Sequence, residues 1–299
     1  MILKSYRLLV ALTALSFILV AFAGCSSGKK PSSDMTSGHA VIGASDAIID
    51  LARFMGRQFE ATYPGAFVDH YPFTDKDLVD SLLSERTEQI FLDRRLAPEE
   101  TLAFGQNGLK ALQYPVAYYP VFLLAPKADS VRSIDSAALR GALTGRIVNW
   151  KALGGPNQPL RVYLPLPREG AWEALMGYFG HLDSVTAVIC TTSTAMLKAA
   201  ADDPGALLVF ARPIDDLKSY RALKFRRGED EIYPDAETIL KPNGYPFRLN
   251  ITYVTTHNKE DVAAGYLTFI CGNVGQRTMM EALKYRPAAV PVKIVRKKM

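Results

Sequence analysis

The chain is poor in the residues from which catalytic and metal centres are built. Its 299 residues include only 3 cysteines and 4 histidines. The histidines, His39, His70, His181 and His257, are scattered, and no His, Cys and carboxylate spacing matches a tetrahedral zinc site. Neither a metal nor a cofactor is indicated. A Gly-x-Ser-x-Gly nucleophile elbow is missing, as is a glycine-rich phosphate loop ending in lysine, so nothing marks an enzyme. No segment of roughly 20 to 50 residues recurs, which excludes a repeat architecture. An excess of one charge is also lacking. The formal balance is +5, from 35 basic and 30 acidic side chains. Lys4, Arg7, Lys29, Lys30 and Arg296-Lys297-Lys298 lie at the ends, so the interior of the chain is close to neutral. That removes the concentrated basic face a nucleic-acid partner would need. Lys224-Phe225-Arg226-Arg227 is short and reads as solvated surface.

Long apolar runs are absent except at the start, where Lys4 and Arg7 precede an uncharged stretch from Leu8 to Phe22. This is short of the roughly 20 residues of a comfortable transmembrane helix and fits an export signal. It ends Phe22-Ala23-Gly24-Cys25, which resembles the lipobox of bacterial lipoproteins. The resemblance implies a signal over residues 1–24, acylation of Cys25 as the membrane anchor, and localisation to the cell envelope. A Ser-rich polar tether over 25–38 follows, and its lysines suit anionic headgroups. Cys190 and Cys271 remain, each in an apolar context. Two separate buried thiols is the favoured reading, with a disulfide left open.

From residue 39 onward, strand-like runs alternate with amphipathic stretches. Ala40-Val41-Ile42-Gly43 reads as a strand, and Ser45-Asp46 caps a helix with Leu51, Ala52, Met55 and Phe59 on one face. A strand over Ala66 to Tyr71 leads to a helix capped by Thr74 or Asp75. A strand over Gln89 to Leu92 leads through Asp93-Arg94 to a helix opened by Pro98-Glu99-Glu100. Three successive β-α units imply a parallel sheet. The proline-broken aromatic run Tyr114 to Leu124 reads as an extended crossing segment. After it come helices near Ser136–Leu143, Glu169–Tyr178 and Ser193–Ala201, and strands at Leu160–Leu164, Thr186–Cys190 and Ala206–Phe210. Residues 213–244 show no period. A strand over Leu249–Thr255 and two helices over roughly 259–271 and 274–284 complete the order.

Three stretches carry a further likeness: Leu143-Thr144-Gly145-Arg146-Ile147-Val148-Asn149-Trp150; Arg94-Arg95-Leu96 with Glu99-Glu100; and a C-terminal series of Tyr245-Pro246, Tyr253, Tyr266 to Ile270, Gly275-Gln276 and Tyr285-Arg286-Pro287. In content and order they resemble the phosphate-binding-protein-like branch of the substrate-binding lipoproteins of bacterial ABC importers. The resemblance implies a type II periplasmic-binding-protein α/β fold of two lobes, each a mostly parallel sheet flanked by helices. Lobe 1 would comprise residues 39–115 plus 245–299 and lobe 2 residues 116–244, joined by crossing strands. It also implies a small anionic solute in the cleft, an ABC permease as partner and no catalysis.

The carboxyl ends of parallel strands, with helix N-termini beside them, suit an oxyanion. The residues at those turns are Ser45, Asp46, Thr74, Asp93, Arg94, Arg168, Gly170 and Ala171. For Ser45, Asp46 and Thr74 taken alone, simple N-capping is the preferred reading, at about 1 kcal/mol each. Arg168 opposes the dipole of the helix it precedes and calls for an acidic partner, with Glu169 and Asp46 the nearest choices. The chain departs from the family where Pro167-Arg168-Glu169-Gly170-Ala171-Trp172 stands in place of the Gly-Ser-Gly-Thr type loop, and where Asp46 adds an acid to the first loop. Both changes weigh against a phosphate dianion. The alternative is a degenerate binding-protein-fold lipoprotein acting as a sensor or protein-interaction module.

Overall fold

A computed structural model describes residues 34–180, 182–214 and 217–289. The signal segment, Cys25, the tether lysines, His181 and the basic tail lie outside the described residues. The first part of the chain forms three β-α units: β1 (Ser37–Ser45), a 3-10 turn (Asp46–Ile48) and α1 (Ile49–Thr62); β2 (Gly65–Phe73) and α2 (Asp75–Leu83); β3 (Gln89–Leu92) and α3 (Pro98–Gln106). β1 pairs in parallel with both β2 and β3. α1 buries Leu51, Ala52, Met55 and Phe59, the stripe its spacing presents. All four residues of β3 are buried, as suits a strand in the middle of a sheet.

β4 (Leu112–Pro120), β13 (Arg248–Thr255) and β14 (Arg286–Pro287) complete a six-stranded sheet of order β14-β4-β13-β3-β1-β2. A second sheet, of order β10-β5-β9-β7-β8, contains β5 (Phe122–Pro126), β7 (Arg161–Pro165), β8 (Val188–Cys190), β9 (Ala206–Phe210) and β10 (Tyr220–Ala222). Within it β7 lies parallel to β8 and β9, while β5 is antiparallel to β9 and β10. The aperiodic stretch after residue 213 supplies β10 and two strands of a small third sheet, in which β6 (Ser133–Asp135) and β12 (Asp230–Ile232) flank β11 (Lys224–Arg227). β11 and β12 form a local hairpin turned at Gly228, whose φ is 62°, and β11 pairs in parallel with the distant β6. The remaining helices are α4 (Ser136–Leu143), α5 (Gly170–Phe179), α6 (Ser193–Ala199), α7 (Val262–Cys271) and α8 (Asn273–Leu283).

The chain leaves the first sheet at Pro120 and enters the second at Phe122. Val121 between them donates its N–H to Phe247 O at 3.0 Å and accepts the Tyr245 hydroxyl at 2.7 Å, so the outgoing and returning segments are tied together. The Tyr114 to Phe122 aromatics serve packing. Tyr119 stacks on Tyr285 at 4.1 Å and meets Phe122 edge-on, and Arg248 lies over the Tyr118 ring.

The motifs quoted above act as internal ties. Trp150 is fully buried and donates its indole N–H to Gly205 O at 2.9 Å. Gln276 donates to Val116 O and Ile270 O and accepts from Ala289 N. Gly275 lets α8 approach α7, since a Cβ there would lie 2.2 Å from Phe269 O. Both described cysteines are free. Cys190 is buried, but Val188 and Ile189 beside it are exposed, contrary to the apolar context read from the sequence.

Candidate functional site

The carboxyl ends of β1 and β3 meet the start of α2 from one lobe and the starts of α5 and α6 from the other. Ser45 ends β1 and caps no helix with its side chain. Its hydroxyl instead donates to the Asp75 carboxylate and accepts the Asp93 N–H at 3.0 Å. The N-capping reading is correct for Thr74, which accepts from Asp77 N at 3.2 Å. Thr74 thereby stays with its own helix, and the residue turned inward is its neighbour Asp75, fully buried.

Among the bonds that cross from lobe to lobe, three run from a backbone N–H beside a helix start to a carboxylate of the opposite lobe. Gly170 N–H donates to Asp93 Oδ1 at 2.9 Å, Asp75 N–H to Glu169 Oε1 at 3.0 Å, and Ser193 N–H to Asp46 Oδ2 at 2.8 Å. These are the positions where helix dipoles favour an anion, and side chains of the protein already fill them. Gly170 is required at its position, because a Cβ would sit 2.6 Å from the Asp93 carboxyl. Ala171, where the family loop carries a hydroxyl, is buried.

Arg94 is the cation of this seam. It pairs with Asp75 through Nε at 2.9 Å and grips Glu100 with both terminal nitrogens at 2.7 and 2.9 Å. Glu100 also accepts the Ala97 N–H at 2.8 Å, which fastens the start of α3. The Arg168 guanidinium lies outside: its side chain is 57% exposed and nearest to Glu99 at 3.7 Å, so neither Glu169 nor Asp46 is its partner. What Arg168 contributes is its carbonyl, which accepts from Arg94 Nε at 2.5 Å. Its φ of 72° is left-handed, a strained state for a non-glycine residue, and the bonds on both sides hold it there.

Oxygens of Asp75, Asp93 and Glu169 lie within 4.8 Å of one another, all in buried residues. Burial and mutual repulsion push Asp93 well above the carboxylate range, burial raises Asp75 despite Arg94, and burial with the Asp75 charge raises Glu169 to about 8. Burial works against the Arg94 charge, but Glu100 and Asp75 outweigh it and keep the guanidinium charged. The acidic trio is therefore engaged by two backbone N–H groups, Ser45 and Arg94 rather than open as a cation cage. A second acidic cluster, Glu88, His257 and Asp261, is similarly occupied: Glu88 pairs with His257 and Lys259, and Asp261 caps α7. Beside the seam lies a cavity of about 30 Å³ lined by Asp46, Asp93, Glu169, Ala171, Cys190 and Thr192, about one water molecule's share of liquid volume.

The structure brings Ser45, Asp46, Asp93, Arg94, Gly170 and Ala171 to one seam; Thr74 and the Arg168 side chain stand off it. Sequence reasoning missed the inward roles of Asp75, Glu100 and Ser193. For Asp75 and Glu100 the signal was present as acids in a first helical turn, but it was spent on the dipole explanation.

Two α/β lobes meeting at strand ends and helix starts define a two-lobed binding-protein fold. A family model described as the PBP superfamily domain matches residues 30–274, and the chain belongs to that superfamily, a group of binding proteins rather than enzymes. Solved structures share the fold at low identity. A candidate phosphate ABC transporter substrate-binding protein from Clostridium perfringens, with bound phosphate, is 19% identical with a TM-score of 0.74, covering 84% of this chain and 100% of that one. An ABC-type phosphate transport receptor from Vibrio cholerae is 16% identical with a TM-score of 0.63, covering 82% and 98%. A phosphate-binding protein from Stenotrophomonas maltophilia is 14% identical with a TM-score of 0.64, covering 85% and 91%. No curated protein matches the sequence.

Proposed function

We propose that the protein is a lipid-anchored envelope lipoprotein on the phosphate-receptor scaffold whose own carboxyl groups stand in the place of the anion. It acts as a sensor or protein-interaction module and does not carry phosphate at neutral pH. The observation that supports this is the set of three interlobe bonds, in which Asp93, Glu169 and Asp46 accept the N–H groups an oxyanion would use. A dianion entering the seam would have to displace these bonds and share the space with Asp75, Asp93 and Glu169, while Arg94 is already committed to Asp75 and Glu100. The cell-envelope setting and the anchor rest on the Ala23-Gly24-Cys25 ending of the apolar leader.

A second reading, a receptor delivering a small anion to an ABC permease, draws on the shared fold of the phosphate-binding neighbours. Thermal unfolding of the full chain at neutral pH with phosphate, sulfate and molybdate separates the two. The first expects no change with any of them. Saturation at 100 times Kd would add about 2.7 kcal/mol, and a rise of that size with phosphate would overturn the first reading in favour of the second. Metabolic labelling with a fatty-acid analogue, lost in Cys25→Ser, tests the anchor separately.

A further inference from the structure

Among the described residues, no second layer covers the outer face of the β1–β2 ribbon. β2 is the edge strand of the six-stranded sheet, and its register with β1 sets Val41 opposite Asp69, with Phe67, Tyr71 and Phe73 on the same face at alternate positions. These four apolar side chains are 49%, 57%, 48% and 50% exposed. The opposite face, carrying Ile42, Ala44, Ala66 and Val68, is buried. On the aromatic face, α2 and α3 cover only the neighbouring β3, through a small cluster that includes Leu78, Leu82, Ile90 and Phe104. That cover stops at Gly43, where the Leu78 and Phe73 side chains meet. Parallel strands are ordinarily covered on both faces, and a long apolar edge strand is a surface that natural proteins otherwise blunt. His39 and Asp69, polar groups on this face, bond each other at 2.9 Å and stay exposed, so the patch presents rings and methyls around one paired imidazole and carboxyl.

We infer that this aromatic face lies on the lipid surface to which Cys25 is anchored, an inference that rests on the lipoprotein reading above. β1 begins at Ser37, twelve residues after Cys25, and such a length of chain reaches at most about 43 Å. Ser37 pairs with Gly65, the first residue of β2, so the chain from the anchor enters at one end of the very ribbon that carries the rings. Phenylalanine and tyrosine side by side suit the boundary between headgroups and acyl chains, and Lys29 and Lys30 in the connecting segment suit anionic headgroups. A short link also makes weak burial sufficient, because contact with the membrane becomes intramolecular.

The test uses the acylated full chain in vesicles of phosphatidylethanolamine and phosphatidylglycerol, with Phe67→Trp as the reporter and the native chain as background for Trp150 and Trp172. Lipids brominated on the acyl chain are expected to quench the reporter about twofold, with a blue-shifted emission. Emission that responds to aqueous iodide and ignores the brominated lipid overturns the inference. So does protection from iodide that grows with protein concentration and not with lipid, since a second copy would then cover the face. Mass spectrometry before reconstitution reports on the anchor alone: a chain without acyl mass overturns the lipoprotein reading and this inference with it, whereas an acylated chain with a wet reporter sinks only the inference.

Discussion

The N–H of Gly170 donates to the Asp93 carboxylate at 2.9 Å, joining two residues 77 positions apart and, through them, the start of α5 to the end of β3. With no side chain at 170, the carboxyl can approach the N–H closely. On the proposed reading the contact acts as an internal ligand, and it is one of the bonds that hold the lobes together.

Gly170→Ala forces a methyl to within 2.6 Å of the Asp93 carboxyl. The seam must shift, at an expected cost of about 1–3 kcal/mol in denaturant unfolding. Gly177→Ala, in the same helix with nothing within 4 Å of the added carbon, is the control. It is expected to stabilise by about 0.5–1 kcal/mol through helix propensity.

Ser45→Ala removes at once a donor to Asp75 and the acceptor of the Asp93 N–H, both in buried surroundings. A loss of about 1–3 kcal/mol is expected. A variant as stable as the native chain would mean that the two acids find other partners.

Stability should fall as pH rises from about 4.5 to about 8. Glu169 is raised from 4.5 to about 8 in the fold, so the folded state holds its proton more tightly than the unfolded state does. Its contribution is full below pH 4.5 and is lost as pH climbs through about 8; Asp75 and Asp93 act in the same direction. His70 opposes this at lower pH: burial lowers it from 6.5 to about 4, so its contribution is present above 6.5 and lost as pH falls toward 4. The window from pH 6.5 to 8 isolates the carboxyl effect. Urea midpoints should decline across it in the native chain and much less in Glu169→Gln.

Replacing the internal ligand should let an external one in. Glu169→Ser with Ala171→Thr restores the two hydroxyls of the family loop and removes one acid. Phosphate, which the proposed function expects to leave the native chain unaffected, is then expected to raise the unfolding temperature of the variant. If it does not, Asp93 and Asp75 suffice to exclude it, and a further Asp93→Asn change should produce the response.

How much of this was readable beforehand follows from the range of each interaction. The β-α units, the Thr74 cap, the Pro98 helix start and the paired helices α7 and α8 depend on neighbours a few residues away, and their spacing declared them. In the third sheet the β11–β12 hairpin at Gly228 is local and was missed, whereas the pairing of β11 with β6, some ninety residues earlier, left no local signal. At the seam, sequence brought the right turns together but could not say which way the side chains faced. Arg168 called for an acidic partner and supplies a carbonyl to Arg94, 74 positions away; Asp75 read as a possible helix cap and is the buried partner of Arg94, 19 positions away.

The tie between Val121 and the returning Tyr245–Phe247 segment has a mechanical implication. Two strands of chain pinned to each other at their crossing behave as a door hinge with a single axis, not as a pair of loose cords. Prising the lobes apart about that crossing would strain the three N–H to carboxyl contacts of the seam together.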